Sequence, residues 1–385
     1  MLLLAFTVLN SCTVDNNNQK KETINEKTTL IDSVKIVLKD SIIDFATDTL
    51  INDYASIVSG KQPVKYFRTI CSNEDWNYVK SHVINEWKYV SKNKIIKIEP
   101  WADSVIQKKT ASNTLIYPFA GADFLYPSLF YNDADSIVMI GLEDPGSISV
   151  DTLDFFVFLN HISKIYKSLF FSNHAGFFRT NSMKEELNEP ELHGTIPPIL
   201  YYISSLGYTI SSLKYFIIDS SGNFSFKRDG NTLACEIDYF GSDKKIRRLF
   251  YIKYDLSDYN LGRDSSLMSF LNKFDKPSIL VKSASYLMHK NNFSMIRNYI
   301  LNKSYCLLQD DTGIPYKYFD KTIWDVSLFG KYSKTISIFK NNFQPDLSEA
   351  YKGSDVEKMP ISIGYNTNHG EPNFILAVRK KISVE

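Results

Sequence analysis

Apolar residues fall along this chain in three rhythms, and each predicts a different kind of structure. The first is an unbroken run, Leu2 to Leu9, that ends at Asn10-Ser11-Cys12 and gives way at once to polar sequence. From Thr13 to about Thr28 the chain is rich in Asn, Lys, Glu and Thr, a composition that buries too little apolar surface to fold and reads as a flexible tether. Residues 29–63 mix Ile, Leu and Val with Asp and Lys, and read as a linker or short helices. The second rhythm is helical. Asp75 to Tyr89 sets Trp76, Val79, Val83 and Trp87 on one face, with Ser72 as the expected N-cap and Asp75 three residues on. Residues 151–172 and the segment from Ile196 to Gly207, which opens on Pro197-Pro198, are further expected helices.

The third rhythm is a series of short apolar blocks. Thr114 to Phe119 reads as a buried strand, Ala120 to Asp123 as a turn and Phe124 to Tyr131 as a helix. Ser136 to Leu142 is a second strand, closed by Glu143-Asp144-Pro145-Gly146. Strand, tight turn, helix and strand within about 30 residues is a βαβ unit, whose right-handed crossover implies a parallel sheet. Two hairpins are expected, Lys214–Asp219 with Phe224–Lys227 and Leu233–Phe240 with Arg248–Leu256. Alternation then resumes: a helix from Ser266 to Phe274, a strand Ser278–Ser283, a helix Phe293–Asn302 and a strand Ser304–Gln309, before a tail of short strands and turns from Ile314. The expected fold is α/β, with a Rossmann-like, partly parallel sheet, helices on both faces and added antiparallel hairpins. Residues 64–385 are expected to form a single domain.

Composition narrows the function classes. The 385 residues are 44% hydrophobic and 23% charged, ordinary for a chain that buries a core. Forty-four basic and 43 acidic side chains leave a net charge of +1, so no nucleic-acid partner is expected. The four cysteines, Cys12, Cys71, Cys235 and Cys306, are widely spaced and form no C-x-x-C pair, which supports neither a disulfide framework nor a zinc site. No metal is expected elsewhere, because His161, His174, His193 and His289 never fall at the spacing of a zinc hydrolase.

Candidate chemistry gathers at the strand ends. In open parallel sheets, ligands bind where the carboxyl ends of strands meet helix starts. Gly121 lets backbone approach a ligand, Asp123 follows it, and Glu143 closes the second strand where an acidic side chain grips sugar hydroxyls. Asp255, with Asp258, follows a later strand, and Lys282 ends another. The ligand-binding candidates are therefore Gly121, Asp123, Glu143, Asp255 and Lys282. Asp310-Asp311 reads as the Asp-x-Gly turn of a hairpin ending at Gly313, with a carboxylate pair or an oxygen-ligated cation as the alternative. No serine sits in a G-x-S-x-G elbow.

Three resemblances bear on these readings. The segment Met1 to Cys12 resembles a bacterial lipoprotein signal peptide, in which Ser11 fits the peptidase pocket and Cys12 becomes the lipid-bearing first residue of the mature chain. On that likeness residues 1–11 are the signal and residues 12–28 the tether. The run of Leu2 to Leu9 is too short to span a bilayer. The resemblance implies three acyl chains (the palmitate type) on Cys12 and a stable hold on the membrane. Thr13 in place of Asp after the cysteine implies an address at the outer membrane, with other envelope proteins as partners. Residues 113–145 resemble a degenerate adenosylmethionine-dependent methyltransferase fold. One glycine remains of the Gly-rich loop, Pro118 lies inside it, and Tyr117 stands where an acidic residue is expected, so no cofactor is expected. Tyr117 to Leu125 also resembles an uncharacterised group of bacterial lipoproteins with a Tyr-Pro-Phe-x-Gly-x-Asp-Phe-Leu motif. The functional classes left are a lipid-anchored envelope protein with a binding or assembly role, an envelope enzyme with its site in the strand-end crevice, and a solute- or glycan-binding lipoprotein.

Overall fold

The βαβ unit predicted around Gly121 is the centre of the molecule. In the computed structural model, which describes residues 47–109, 112–148, 155–178, 188–189, 192–226, 234–353 and 356–381, β1 is Thr114–Pro118, α5 is Leu125–Phe130 and β2 is Ser136–Gly141. Apolar side chains fill both faces of these strands, as a sheet covered on two sides requires. Residues 1–28, on which the expected signal, Cys12 and the expected tether fall, lie outside the described residues.

Ten strands form one sheet. The others are β3 (Thr209–Ile218), β4 (Phe224–Phe226), β5 (Ala234–Phe240), β6 (Ile246–Lys253), β7 (Ser278–Val281), β8 (Cys306–Gln309), β9 (Trp324–Gly330) and β10 (Asn373–Arg379), in the order β9-β10-β8-β7-β1-β2-β6-β5-β3-β4. The five central strands, β8-β7-β1-β2-β6, are parallel. Numbered by their sequence among themselves, they run 5-4-1-2-3, the doubly wound order that reverses beside its first strand. Both wings are antiparallel: β10 and β9 beyond β8, and the three strands β5-β3-β4 beyond β6. The fold is thus Rossmann-like α/β with added hairpins.

Alternate residues separate the two faces. Leu115, Tyr117, Ile137 and Met139 point into one cluster with the N-terminal helices, while Ile116, Val138 and Ile140 point into a second. The first face carries α1 (Thr49–Val58), α3 (Glu74–Val90), α4 (Ile96–Val105), α5, α6 (Phe155–Ala175) and α7 (Ile196–Ser205); α2 is the single turn Arg68–Cys71. The second carries α8 (Asp258–Arg263), α9 (Ser266–Leu271) and α10 (Ser294–Lys303). A further short helix, α11 (Pro345–Ala350), packs its Leu347 with Leu328 and Ile375 of the wing.

Three boundaries differ from the sequence reading. Ile51, Tyr54, Ile57 and Val58 of α1 are core residues, so the folded body already includes residues 49–58 rather than starting at Val64. Helix α3 is capped by Asn73, whose side chain accepts from the Asp75 N–H at 2.9 Å, not by Ser72. Between α3 and α4 the helix passes through a π-turn, Ser91–Ile95, which buries Lys94. Among the described residues no helix is long and apolar enough to cross a membrane.

Candidate functional site

The carboxyl ends of β1, β2, β6 and β7 open on a cavity of about 250 Å³. It lies where the strand order reverses between β1 and β7, the place at which open α/β sheets take ligands. Gly121, Asp123, Glu143, Asp255 and Lys282, drawn from four different strand ends, all line it. Local backbone sets the rim. Phe119, Ser283, Ser285 and Tyr286 hold left-handed conformations with φ of 61°, 53°, 50° and 53°. Each costs on the order of 1 kcal/mol, and such residues concentrate where surrounding structure fixes a site. Gly121, with φ of 55°, adopts the same region without that cost.

Asp123 and Lys282 meet at the floor. Both side chains are 1% exposed, and Nζ lies 2.8 Å from Asp123 Oδ2. The Tyr117 hydroxyl donates to the same carboxylate oxygen at 2.9 Å and the Ser172 hydroxyl to Oδ1 at 3.3 Å. Lys282 also donates to the carbonyl of Gly176 and sits 4.5 Å from the centre of the Tyr126 ring. The pair is therefore satisfied within the protein. Burial, then the Asp123 charge, pushes the Tyr117 hydroxyl well above its usual range, so it stays a donor. The Gly176 carbonyl belongs to the end of α6, where a second buried lysine arrives: Lys94 Nζ donates to the carbonyls of His174 at 3.0 Å and Ser362 at 2.8 Å. Two ammonium groups thus meet the negative end of a 21-residue helix. Burial first, then the Lys282 charge, lowers Lys94 to about 8.

Glu143 forms one wall at the end of β2. Its Oε2 accepts from the Leu142 N–H at 3.2 Å, and its carbonyl accepts from the Tyr251 hydroxyl at 3.0 Å. A Cβ on Gly141 would stand 2.5 Å from Tyr251 Oη and 3.1 Å from Glu143 Oε2, so only glycine lets these groups close on the strand end. Asp255 is exposed on the opposite lip, with Oδ1 turned back to the Ser257 N–H at 2.9 Å. Asp258 does not reach the crevice; it caps α10 through the N–H groups of Ser294 and Met295.

Aromatic side chains, which the sequence reading did not single out, make up much of the remaining lining. Phe119 and Phe293 meet edge to face at 6.0 Å, and Phe177 and Tyr365 at 4.8 Å. Phe119 was legible as the residue ending an apolar strand beside Gly121. Tyr365 comes from an irregular segment near the C-terminus, and no local pattern marks it. Its hydroxyl donates to the Ser283 carbonyl at 2.7 Å and lies 3.0 Å from the Ser285 hydroxyl, tying the tail to the rim.

Behind that rim lies a second acidic centre. The hairpin expected at Asp310-Asp311 does not form: the turn closes through Gly313 N–H to the Asp310 carbonyl, but β8 pairs with β10 instead of the next strand. Both carboxylates are buried. Asp310 accepts from the Ser283 N–H at 2.8 Å, the Thr312 N–H at 3.0 Å and the Thr312 hydroxyl. Asp311 accepts from Asn366 at 3.1 Å, Asn373 at 3.0 Å and the Tyr286 hydroxyl. Burial, then Asp310, pushes Asp311 up to about 7. Among the described residues no group of three or more His, Cys, Asp or Glu could hold a metal ion. His161 bonds the Tyr54 hydroxyl, His174 lies 3.0 Å from Glu86, and neither lines the cavity.

Adenosylmethionine, the group that the methyltransferase likeness implies, fits only in part. A ribose diol suits Glu143 and a flat base suits the aromatic walls. The amino-acid tail does not fit, since its carboxylate calls for a free cation and Lys282 is held by Asp123 and Gly176. Helix α5, six residues long, offers little dipole to replace it. No known protein family and no curated protein matches this sequence.

Proposed function

We propose that this is a lipid-anchored envelope protein that binds a small, hydroxyl-rich, phosphate-free molecule in the strand-end crevice. The observation that carries the reading is the convergence of Gly121, Asp123, Glu143, Asp255 and Lys282 on one cavity at the switch point of the sheet. Two carboxylates, Glu143 and Asp255, face a cavity whose lysine is already neutralised, so an anionic ligand is repelled and a hydroxylated one finds acceptors. The aromatic lining favours a ligand with a flat or C–H-rich face. The anchor rests on the run from Leu2 to Leu9 and on Cys12. Cys12→Ser is expected to release the protein from the membrane fraction of cells; unchanged association overturns the anchor.

The binding reading is tested by calorimetry with adenosine, galactose and adenosine monophosphate. At least one neutral probe is expected to bind, and the phosphorylated one to bind more weakly than adenosine. Glu143→Gln should weaken the neutral probe about tenfold, the loss expected for a charge-assisted hydrogen bond. Tighter binding of the phosphate, or no effect of Glu143→Gln, overturns it.

A further inference from the structure

The loop that follows α1 carries apolar and basic side chains outward on a backbone fixed from within. Asp53, buried in α1, accepts three consecutive backbone N–H groups, from Val64 at 2.6 Å and from Lys65 and Tyr66 at 2.7 Å. Phe67 then turns inward with φ of 60°, packing 6.3 Å from Tyr54 and 6.5 Å from Phe158. Its neighbours are left outside: Val64 is 70% exposed and Tyr66 38%. Lys65 lies 4.9 Å over the Tyr66 ring, and Arg68 closes the loop onto the Val64 carbonyl. Lys65 and Arg68 are the exposed cations of the loop; Lys61 turns its ammonium onto the Ser204 carbonyl, and the next acidic residues, Glu74 and Asp75, open α3.

The geometry points to this loop, Lys61 to Arg68, as a docking surface for the anionic headgroup region of the membrane that holds the anchor. The inference rests on the lipid-anchor reading. An exposed apolar tip flanked by cations matches an interface of buried acyl surface and negative headgroups. The loop folds back along α1 onto Asp53, four residues and about 6 Å from Thr49, on the side where residues 1–46 join the described body. A chain tethered at Cys12 presents it to the bilayer at high effective concentration, so weak contact suffices.

The test uses the full chain carrying Cys12→Ser, so that no acyl group contributes, in sedimentation with two vesicle types. One is phosphatidylcholine alone, the other equal parts phosphatidylcholine and phosphatidylglycerol. Binding is expected to the second only and to fade as salt screens it. Lys65→Gln should lower partitioning about fivefold, and Val64→Asp should abolish it. Lys352→Gln, an exposed charge on another face, should leave it unchanged. Equal partitioning into both vesicles, or equal behaviour of Lys65→Gln and Lys352→Gln, overturns the surface; so does capture by an acidic protein without vesicle binding. Val64→Asp in the chain with Cys12 intact separates the two readings. Retention of that variant in cell membranes leaves the anchor standing whatever the loop does.

Discussion

Two buried acidic centres lie behind the same crevice, and they are stabilised in opposite ways. Asp123 has a cation, Lys282, at 2.8 Å, with Tyr117 and Ser172 completing its shell. Asp310 and Asp311 have only neutral donors: backbone N–H groups, hydroxyls and two asparagine amides. The first centre sets opposite charges side by side. The second concentrates like charge in a low-dielectric interior, which lifts Asp311 into the neutral range. Both fix the rim, one from the side of β1 and the other by holding Ser283 and Tyr286 in left-handed turns. The difference teaches that shape at this site is secured by an ion pair on one side and by a titratable pair of carboxylates on the other.

Breaking the ion pair should have the largest effect. Lys282→Met strands a buried carboxylate, and a loss of about 3–5 kcal/mol is expected in urea unfolding. A loss under about 1 kcal/mol would mean that water reaches Asp123. The next effect is the pH dependence of the other centre. The folded pKa of Asp311 is raised above the unfolded value near 4, so its contribution is fully present below about 4. Stability then falls as pH rises toward 7, by up to about 4 kcal/mol. Unfolding measured from pH 4 to 8 checks the slope, and Asp311→Asn should flatten it.

Two tyrosines sharpen the contrast further. Tyr286→Phe removes a donor from Asp311 and should cost about 1 kcal/mol at pH 8, where the carboxylate is ionised, but less at pH 5. Tyr117→Phe removes a donor from Asp123, which keeps Lys282, and should cost somewhat under 1 kcal/mol equally at both pH values. Equal pH profiles for the two variants would erase the distinction between the centres.

The parts of the fold legible in sequence are those governed by local pattern. The βαβ unit falls within a residue or two of its expected limits, because Gly121, the Asn132-Asp133 turn and continuous apolar blocks all act at short range. Strand β3 starts at Thr209, five residues before the expected Lys214. There Ser211 and Ser212 hide the alternation, and the register shifts between Ile210 and Ser212. Helix α1 was left open because its apolar residues are interleaved with Asn52 and Asp53. Asn52 bonds both the N–H and the carbonyl of Ile210 and so finishes an edge of β3. That role depends on a partner far along the chain. The five cavity candidates were readable because each follows an apolar block at a strand end. The neighbours they engage were not: Ser172, Gly176 and Tyr365 come from distant or irregular segments.

The bond between Asp123 and Lys282 also sets the order in which the body can form. Synthesis delivers the carboxylate, the first two central strands and α6 long before the ammonium that neutralises them. Until β7 arrives, Asp123 on the floor of the crevice has no ammonium to follow it into the interior. A chain cut short before Lys282 is therefore expected to leave this floor unburied and open to proteases.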